Sequence, residues 1–225
     1  MSALNGHVTN ATIGAVGFDT ATAVTQQALN EARHRGYKFA IRYVRRQAAH
    51  PGSELTRDEA QLILNNGLAL MAVQYVESED GWTPSAAKGT TNGQTAVQFA
   101  QQCGLPPGIN LWCDLEGVDT AADWSVTNAY CRNWYAAVKA GGYVPGLYVG
   151  WHPGLNPTQL YNLPFTHYWR SYNLNDDQAP AVRGTQMTQR SHSALPGLDP
   201  STFDEDVVTG DKKGGVPIWL APPTG

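Results

Sequence analysis

Carboxylates stand at the ends of three apolar runs in this chain. Asp19 directly follows Ile13-Gly14-Ala15-Val16-Gly17-Phe18. Asp114 and Glu116 close Ile109-Asn110-Leu111-Trp112-Cys113-Asp114-Leu115-Glu116, and Asp204 and Asp206 lie within Phe203-Asp204-Glu205-Asp206-Val207-Val208. Side chains alternate along a strand, so Asp114 and Glu116 share a face, their Cα atoms roughly 6.6 Å apart. The same parity joins Asp204 to Asp206. Acids gathered at one place repel one another, and repulsion with desolvation raises at least one pKa, leaving a protonated acid beside charged partners. Glycoside hydrolysis needs that combination: one carboxylic acid for the leaving oxygen, and carboxylates to stabilise an oxocarbenium-like transition state. The same oxygens would also suit a cation.

The elements that must position these acids alternate in type. Strand-like runs at 13–18, 39–44, 68–76, 109–116, 143–150 and 166–172 precede two weaker candidates at 183–189 and 203–208. Helical stretches are predicted from about Ala21 to Arg35, after a capping box formed by Thr56 and Glu59, near Gln94 to Cys103, and where Val126, Tyr130, Trp134, Ala137 and Val138 repeat at helical spacing. Alternating strands and helices imply a parallel sheet. About eight such strands predict a single (β/α) TIM-like barrel, its helices irregular in the second half; an open doubly wound sheet is the alternative. One domain over 1–225 is expected, with a short lead at 1–12 and a peripheral extension from about 209 to 225. In a parallel barrel the chemistry sits at the C-terminal strand ends. Strands one and eight are then neighbours, which sets Asp19 beside Asp204.

Aromatic residues at or near strand ends suggest a sugar. Tyr43, Tyr75, Trp112, Tyr148, Trp151, Trp169 and Tyr172 offer faces for the C–H surface of a pyranose, whereas Trp134 belongs to a helix core. Arg42, Gln74, Asn173, Gln186 and Gln189 are candidate partners for its hydroxyls. Substrate binding is thus expected from Asp204, Asp206, Arg42, Tyr43, Gln74, Tyr148, Trp169, Tyr172 and Gln186, with Glu116, Asp114 and Asp19 carrying the chemistry. The loop from Glu77 to Thr91, with Glu79, Asp80 and Trp82, is the expected selector of substrate length.

Composition narrows the alternatives. The 225 residues carry 15 basic and 19 acidic side chains, a net charge of −4 that argues against a nucleic-acid binder. Hydrophobic residues at 42% against 15% charged predict a large core. No apolar run is long enough to span a bilayer, and residues 1–16 lack the basic and apolar regions of a signal peptide. Cys103, Cys113 and Cys131 show no ligand spacing and read as buried hydrophobes. Nucleophile-elbow, P-loop, zincin and dinucleotide motifs are missing, so no metal or cofactor is expected. His152, His167 and His192 read as surface or hydrogen-bonded residues.

Taken in order, Gly17-Phe18-Asp19-Thr20, Ile41-Arg42-Tyr43-Val44, Val73-Gln74-Tyr75-Val76, Leu111-Trp112-Cys113-Asp114-Leu115-Glu116-Gly117, Gly142-Tyr143-Val144-Pro145-Gly146-Leu147-Tyr148 and Phe203-Asp204-Glu205-Asp206 resemble the bacterial glycoside hydrolase-like family of formerly unknown function. That family is similar to the lysozymes of glycoside hydrolase family twenty-five, and the resemblance covers most of 13–220. It implies a barrel that cleaves peptidoglycan between N-acetylmuramic acid and N-acetylglucosamine. It also implies Glu116 as general acid, Asp114 as the partner of the substrate's 2-acetamido group, and Asp19 and Asp204 as further acids. The related lysozymes carry another Asp near strand six, whereas this chain reads His167-Tyr168-Trp169-Arg170-Ser171-Tyr172 there, with Asp176 and Asp177 later. A non-catalytic glycan-binding or partner-docking barrel is the alternative. The expected setting is the periplasm or cell wall, reached by non-Sec export or phage release, with an immunity protein or secretion-system carrier as partner and no membrane insertion.

Overall fold

The structure, a computed structural model, describes residues 4–46, 52–78, 80–174, 184–190 and 194–223. After a short strand β1 (His7–Asn10), strands and helices alternate: β2 (Val16–Thr20), α1 (Gln26–His34), β3 (Phe39–Val44), α2 (Arg57–Asn65), β4 (Ala69–Gln74), α3 (Ala86–Gln102), β5 (Asn110–Leu115), α4 (Trp124–Ala140) and β6 (Val144–Val149). The second half is sparser, with the five-residue α5 (Pro157–Tyr161), β7 (His167–Arg170), β8 (Met187–Arg190), β9 (Phe203–Val208) and β10 (Ile218–Ala221). Strands β2 to β9 hydrogen-bond in sequence order, and β9 returns to β2, so the sheet closes into an eight-stranded barrel with helices around it. The open doubly wound alternative is therefore excluded.

One strand departs from the parallel expectation. β9 is antiparallel to both β2 and β8. Its first residues, rather than its last, therefore lie at the C-terminal end of the parallel strands, which we call the mouth. Asp204 reaches the mouth because the strand is reversed, not because it ends there.

The short lead and the extension predicted to be peripheral both take part in the sheet. β1 pairs antiparallel with β10, and β10 pairs with β4 at Leu220 and Leu70. β4 meets β5 only from Ala72 onward. β10 thus wedges into the seam where these strands splay, anchored by the Ile218 N–H donating to Asn110 Oδ1 at 2.6 Å. Trp219 packs on Phe39, ring centroids 5.6 Å apart, and helps to floor the barrel opposite the mouth.

Two apolar layers result from strand alternation. Phe39, Ile41, Met71, Val73, Trp112 and Trp169 fill the barrel; Ala40, Val44, Leu70, Ala72 and Leu111 face the helices. Helix starts follow their capping residues: Thr25, Thr56, Ser85, Asp123 and Asn156 each accept from a backbone N–H one turn in. The capping box at Thr56 is only half made. Thr56 accepts from the Glu59 N–H, but the Glu59 carboxylate turns away to Arg42 and to the Val24 N–H. α3 begins eight residues before the predicted Gln94. A Cβ at Gly89 or Gly93 would collide with α4 at Tyr130 or Trp134, so these glycines let the two helices touch backbone to backbone.

Candidate active site

The mouth holds a cleft of about 440 Å³ whose walls include Asp19, Tyr43, Tyr75, Asp114, Glu116 and Asp204. Acids from three segments distant in sequence thus converge on one rim. Asp19 and Asp204 are direct cross-strand partners in the β2–β9 register. Asp114 is buried at the end of β5, and Glu116, two residues on, is half-buried.

Each acid sits in a distinct environment. Asp19 accepts from Gln189 Nε2 at 2.9 Å and from the Tyr43 hydroxyl at 3.3 Å. Burial, then the charge of Asp204, nevertheless lifts its pKa from 3.8 to about 7. Asp114 accepts from the Val76 N–H, while its Oδ1 is buried with no hydrogen-bond partner among the described residues. Burial is the main cause of its pKa standing well above the usual range, with Glu116 and Asp19 adding repulsion. At neutral pH such a mouth keeps protons on some of its carboxyls.

Glu116 is held from both sides. The Trp82 indole N–H donates to the Glu116 carbonyl at 2.6 Å, and the Trp82 ring is buried edge-on against Tyr130. On the other side the Glu116 carboxyl lies over Gly150, where a Cβ would collide with Oε2. Backbone bonds from Gly117 N to Trp151 O and from Val118 N to His152 O continue the β5–β6 pairing past the strand ends.

Several predicted ligand-binding side chains take other roles. Arg42 is on the outer face of β3, fully buried, donating to Glu59 at 2.6 Å and to the Thr20 and Ser53 carbonyls. Gln74 also faces outward, donating to Asn92 O and accepting from Trp134 Nε1. Gln186 lies toward the floor, bonded to Tyr168 N and Asp211. Alternation explains the first two: on β3 and β4 the odd-numbered positions point into the barrel.

Asp206 and Trp169 are inside the barrel but fully buried beneath the mouth, with Trp169 Nε1 donating to Asp206 Oδ1 at 2.8 Å. Tyr148 is nearly buried, its hydroxyl donating to Gln189. Tyr172 is 52% exposed in a separate outer hollow with Arg170, Thr188 and Arg190. Trp82 is buried against Tyr130, and Glu79, Asp176, Asp177, Arg183 and His192 fall outside the described residues.

The sequence reading missed Ser201 and Thr202, which line the mouth from the turn before β9. The available signal was Asp199-Pro200-Ser201, where Asp199 caps a 3-10 turn and proline takes its first position. All three cysteines are buried and unpaired by disulfides. Among the described residues no cluster of three or more His, Cys, Asp or Glu side chains could hold a metal ion, and no helix is long and apolar enough to cross a membrane.

A family model described as Rv2525c-like, glycoside hydrolase-like domain matches residues 30–208. No curated protein matches the sequence. Among solved structures, the chain is similar to an uncharacterized protein of B. stearothermophilus, with 24% identity, TM-score 0.64, and coverage of 87% of this chain and 96% of that one. It is also similar to the Mycobacterium tuberculosis Tat-secreted protein Rv2525c, with 16% identity, TM-score 0.63, and coverage of 88% and 96%. A family 25 glycosyl hydrolase from Bacillus anthracis shares the fold at 13% identity and TM-score 0.56, with 95% and 96% covered.

Proposed function

We propose, since the chain belongs to the Rv2525c-like, glycoside hydrolase-like family, that it is a glycosidase cleaving the glycan strands of bacterial peptidoglycan. The observation that carries this reading is the meeting of Asp19, Asp114, Glu116 and Asp204 around one cleft. Glu116, the half-buried member of the β5 pair, is the general acid. Burial, then repulsion from Glu116, raises the Asp114 pKa well above the usual range, so the β5 pair retains a proton that a lone exposed acid would lose. Glu116 passes that proton to the glycosidic oxygen, and the carboxylate left behind is stabilised as the bond breaks.

Asp114 supplies an unsatisfied acceptor. Its bare Oδ1 takes the N–H of a 2-acetamido group, orienting the amide oxygen toward the anomeric carbon. Asp19, fixed by Gln189 and Tyr43, faces the positive charge that develops on the ring. The reaction belongs outside the cytoplasm, where the wall polymer lies, and one of the structural relatives is Tat-secreted.

A non-catalytic glycan-binding barrel is the second reading. What favours it is β7, whose inward residue is the buried Trp169, where the resemblance implies a further acid. Purified sacculi incubated with wild type, Glu116→Gln and Asp114→Asn separate the two. Soluble muropeptides with new reducing ends, lost in Glu116→Gln, support hydrolysis. Sedimentation with sacculi but no release supports binding, and unchanged release by Glu116→Gln removes Glu116 as the acid.

A further inference from the structure

The sequence places Gln189 among the candidate partners for sugar hydroxyls, but the structure leaves it no such freedom. It points inward from β8, is only 4% exposed, and has both ends of its amide engaged. Nε2 donates to Asp19 Oδ2 at 2.9 Å, and Oε1 accepts from the Tyr148 hydroxyl at 3.1 Å.

These two bonds span half the ring. Asp19 is on β2 and Tyr148 on β6, with β9 and β7 standing between them and β8. Beneath this link runs another between the two skipped strands, where the Trp169 indole of β7 donates to Asp206 of β9. Gln189 is the register partner of Asp206, and Tyr148 that of both Trp169 and Asp114. The upper link therefore rests on a packed layer, with the Tyr148 ring edge-on to the Trp169 indole at a centroid distance of 4.5 Å. A side chain bonded at both ends on such a support is locked in place.

The two poles of the mouth differ in the donors they receive. Asp19 takes one on each oxygen, from Gln189 and from the Tyr43 hydroxyl at 3.3 Å. Asp114 takes the Val76 N–H and keeps Oδ1 bare among the described residues. Neutral donors favour the charged form of a carboxyl. An amide suits this place because it carries a donor and an acceptor without adding charge. A glutamate there would set another acid beside Asp19, Asp204 and Asp206.

We infer that Gln189 is a positioning residue: through its amide, Tyr148 on one side of the barrel fixes the orientation of Asp19 on the other and keeps it a hydrogen-bond acceptor. The effect on turnover rests on the glycosidase reading, whereas the effect on Asp19 does not. As the β5 pair gives its proton to the glycosidic oxygen, Asp19 stabilises the charge developing on the sugar only while its own oxygens stay proton-free and aimed. Gln189 meets both conditions without touching the substrate.

The test follows the Asp19 carboxyl directly. Carbon-13 NMR titration of side-chain carboxyls, with Asp19→Asn identifying the resonance, compares wild type with Gln189→Met and Gln189→Glu. Both substitutions keep the side-chain length; the first removes both bonds, and the second replaces the donor to Asp19 with a carboxyl. The other groups facing Asp19 are Asp204 and Asp206 on β9, Tyr43 on β3, Tyr148 on β6 and Asp114 on β5, and all are retained. The Asp19 midpoint should rise by about one pH unit in each variant. Tyr148→Phe, which frees Oε1, should move it the same way by less, and it guards against misfolding of the Gln189 variants. With peptide-free glycan strands as substrate, Gln189→Met should lower kcat about tenfold near pH 6 while KM stays within about twofold. A carboxyl with a raised pKa keeps its proton to higher pH, so that deficit should shrink as pH rises. Lost packing alone would lower stability and leave the midpoint in place. An Asp19 midpoint unchanged in both Gln189 variants overturns the inference. If wild type releases no reducing ends while the midpoint moves as expected, the glycosidase reading falls and the role of Gln189 stands.

Discussion

Asp206 hydrogen-bonds Asp19 from two residues deeper in the barrel, opposite Gly17, and the indole of Trp169 holds it there. Asp206 Oδ2 is buried with no hydrogen-bond partner among the described residues, and two carboxyls can hydrogen-bond each other only when one of them carries a proton. Burial and the charge of Asp19 hold the Asp206 pKa well above the usual range, so Asp206 keeps the proton and supports Asp19 as its anion.

A pH-dependent stability follows from this pair. The Asp19 pKa rises from 3.8 to about 7 on folding, so between those values the native state binds more protons than the unfolded chain. Its contribution to stability is complete below about 4 and is lost as pH rises through about 7. Urea denaturation at pH 4.5, 6 and 7.5 should show falling stability, and Asp19→Asn should flatten the slope. A wild-type protein that gains stability steadily across that window would contradict the assignment.

Gly150 leaves room for the Glu116 carboxyl. Its φ is not positive, so alanine suits the backbone torsion, but the added Cβ would crowd the Glu116 carboxyl, the Glu116 Cβ and the buried Tyr148 ring. Gly150→Ala should therefore lower reducing-end release on the order of tenfold or more, as expected when a general acid is displaced. The strand end must shift to admit the methyl, so thermal denaturation should show a lowered melting temperature, with the fold still cooperative.

Trp82→Phe keeps most of the ring contact with Tyr130 but removes the N–H that holds the Glu116 carbonyl. A stability loss of about 1 kcal/mol is expected for one buried hydrogen bond. Turnover should fall with little change in KM, because the strand end that carries the acid loses its tether while the cleft walls stay. An equal rise in KM would point to a collapsed groove instead.

Arg42→Met tests the buried pair on the helix side of the barrel. The substitution strands Glu59, leaving the Val24 N–H as its remaining partner. Breaking a buried ion pair by removing one member costs roughly 3–5 kcal/mol. Chemical denaturation should register that loss, and glycan affinity of the folded protein should stay at the wild-type value. A variant that keeps its stability but loses the glycan would restore Arg42 to the mouth.

The sequence made the barrel legible through its first six strands, where apolar runs and capping residues agree. It also made the Asp19–Asp204 neighbourhood legible, since ring closure alone brings strands one and eight together. The sense of β9 was not legible, because a strand's direction depends on the length and path of its connection, and alternation reads alike both ways. α3 was shortened in the reading because Gly89-Thr90-Thr91-Asn92-Gly93 has poor helix propensity, which close packing on α4 overrides. Polarity alone points Arg42 and Gln74 toward the mouth, whereas parity turns them away from it. Their positions on β3 and β4, each one step from an inward residue, already exclude a place there.

The wedge formed by β10 has a consequence for biosynthesis. β4 and β5 emerge early, yet the seam between their lower halves stays open until Ile218–Ala221 arrives, after β9 has already closed the ring. Until then Phe39 lacks its Trp219 cover, and unpaired strand edges face the crowded cell interior. A nascent chain of this kind is therefore vulnerable to misassociation until β10 has docked, and chaperones that recognise apolar strand edges would find it in that interval.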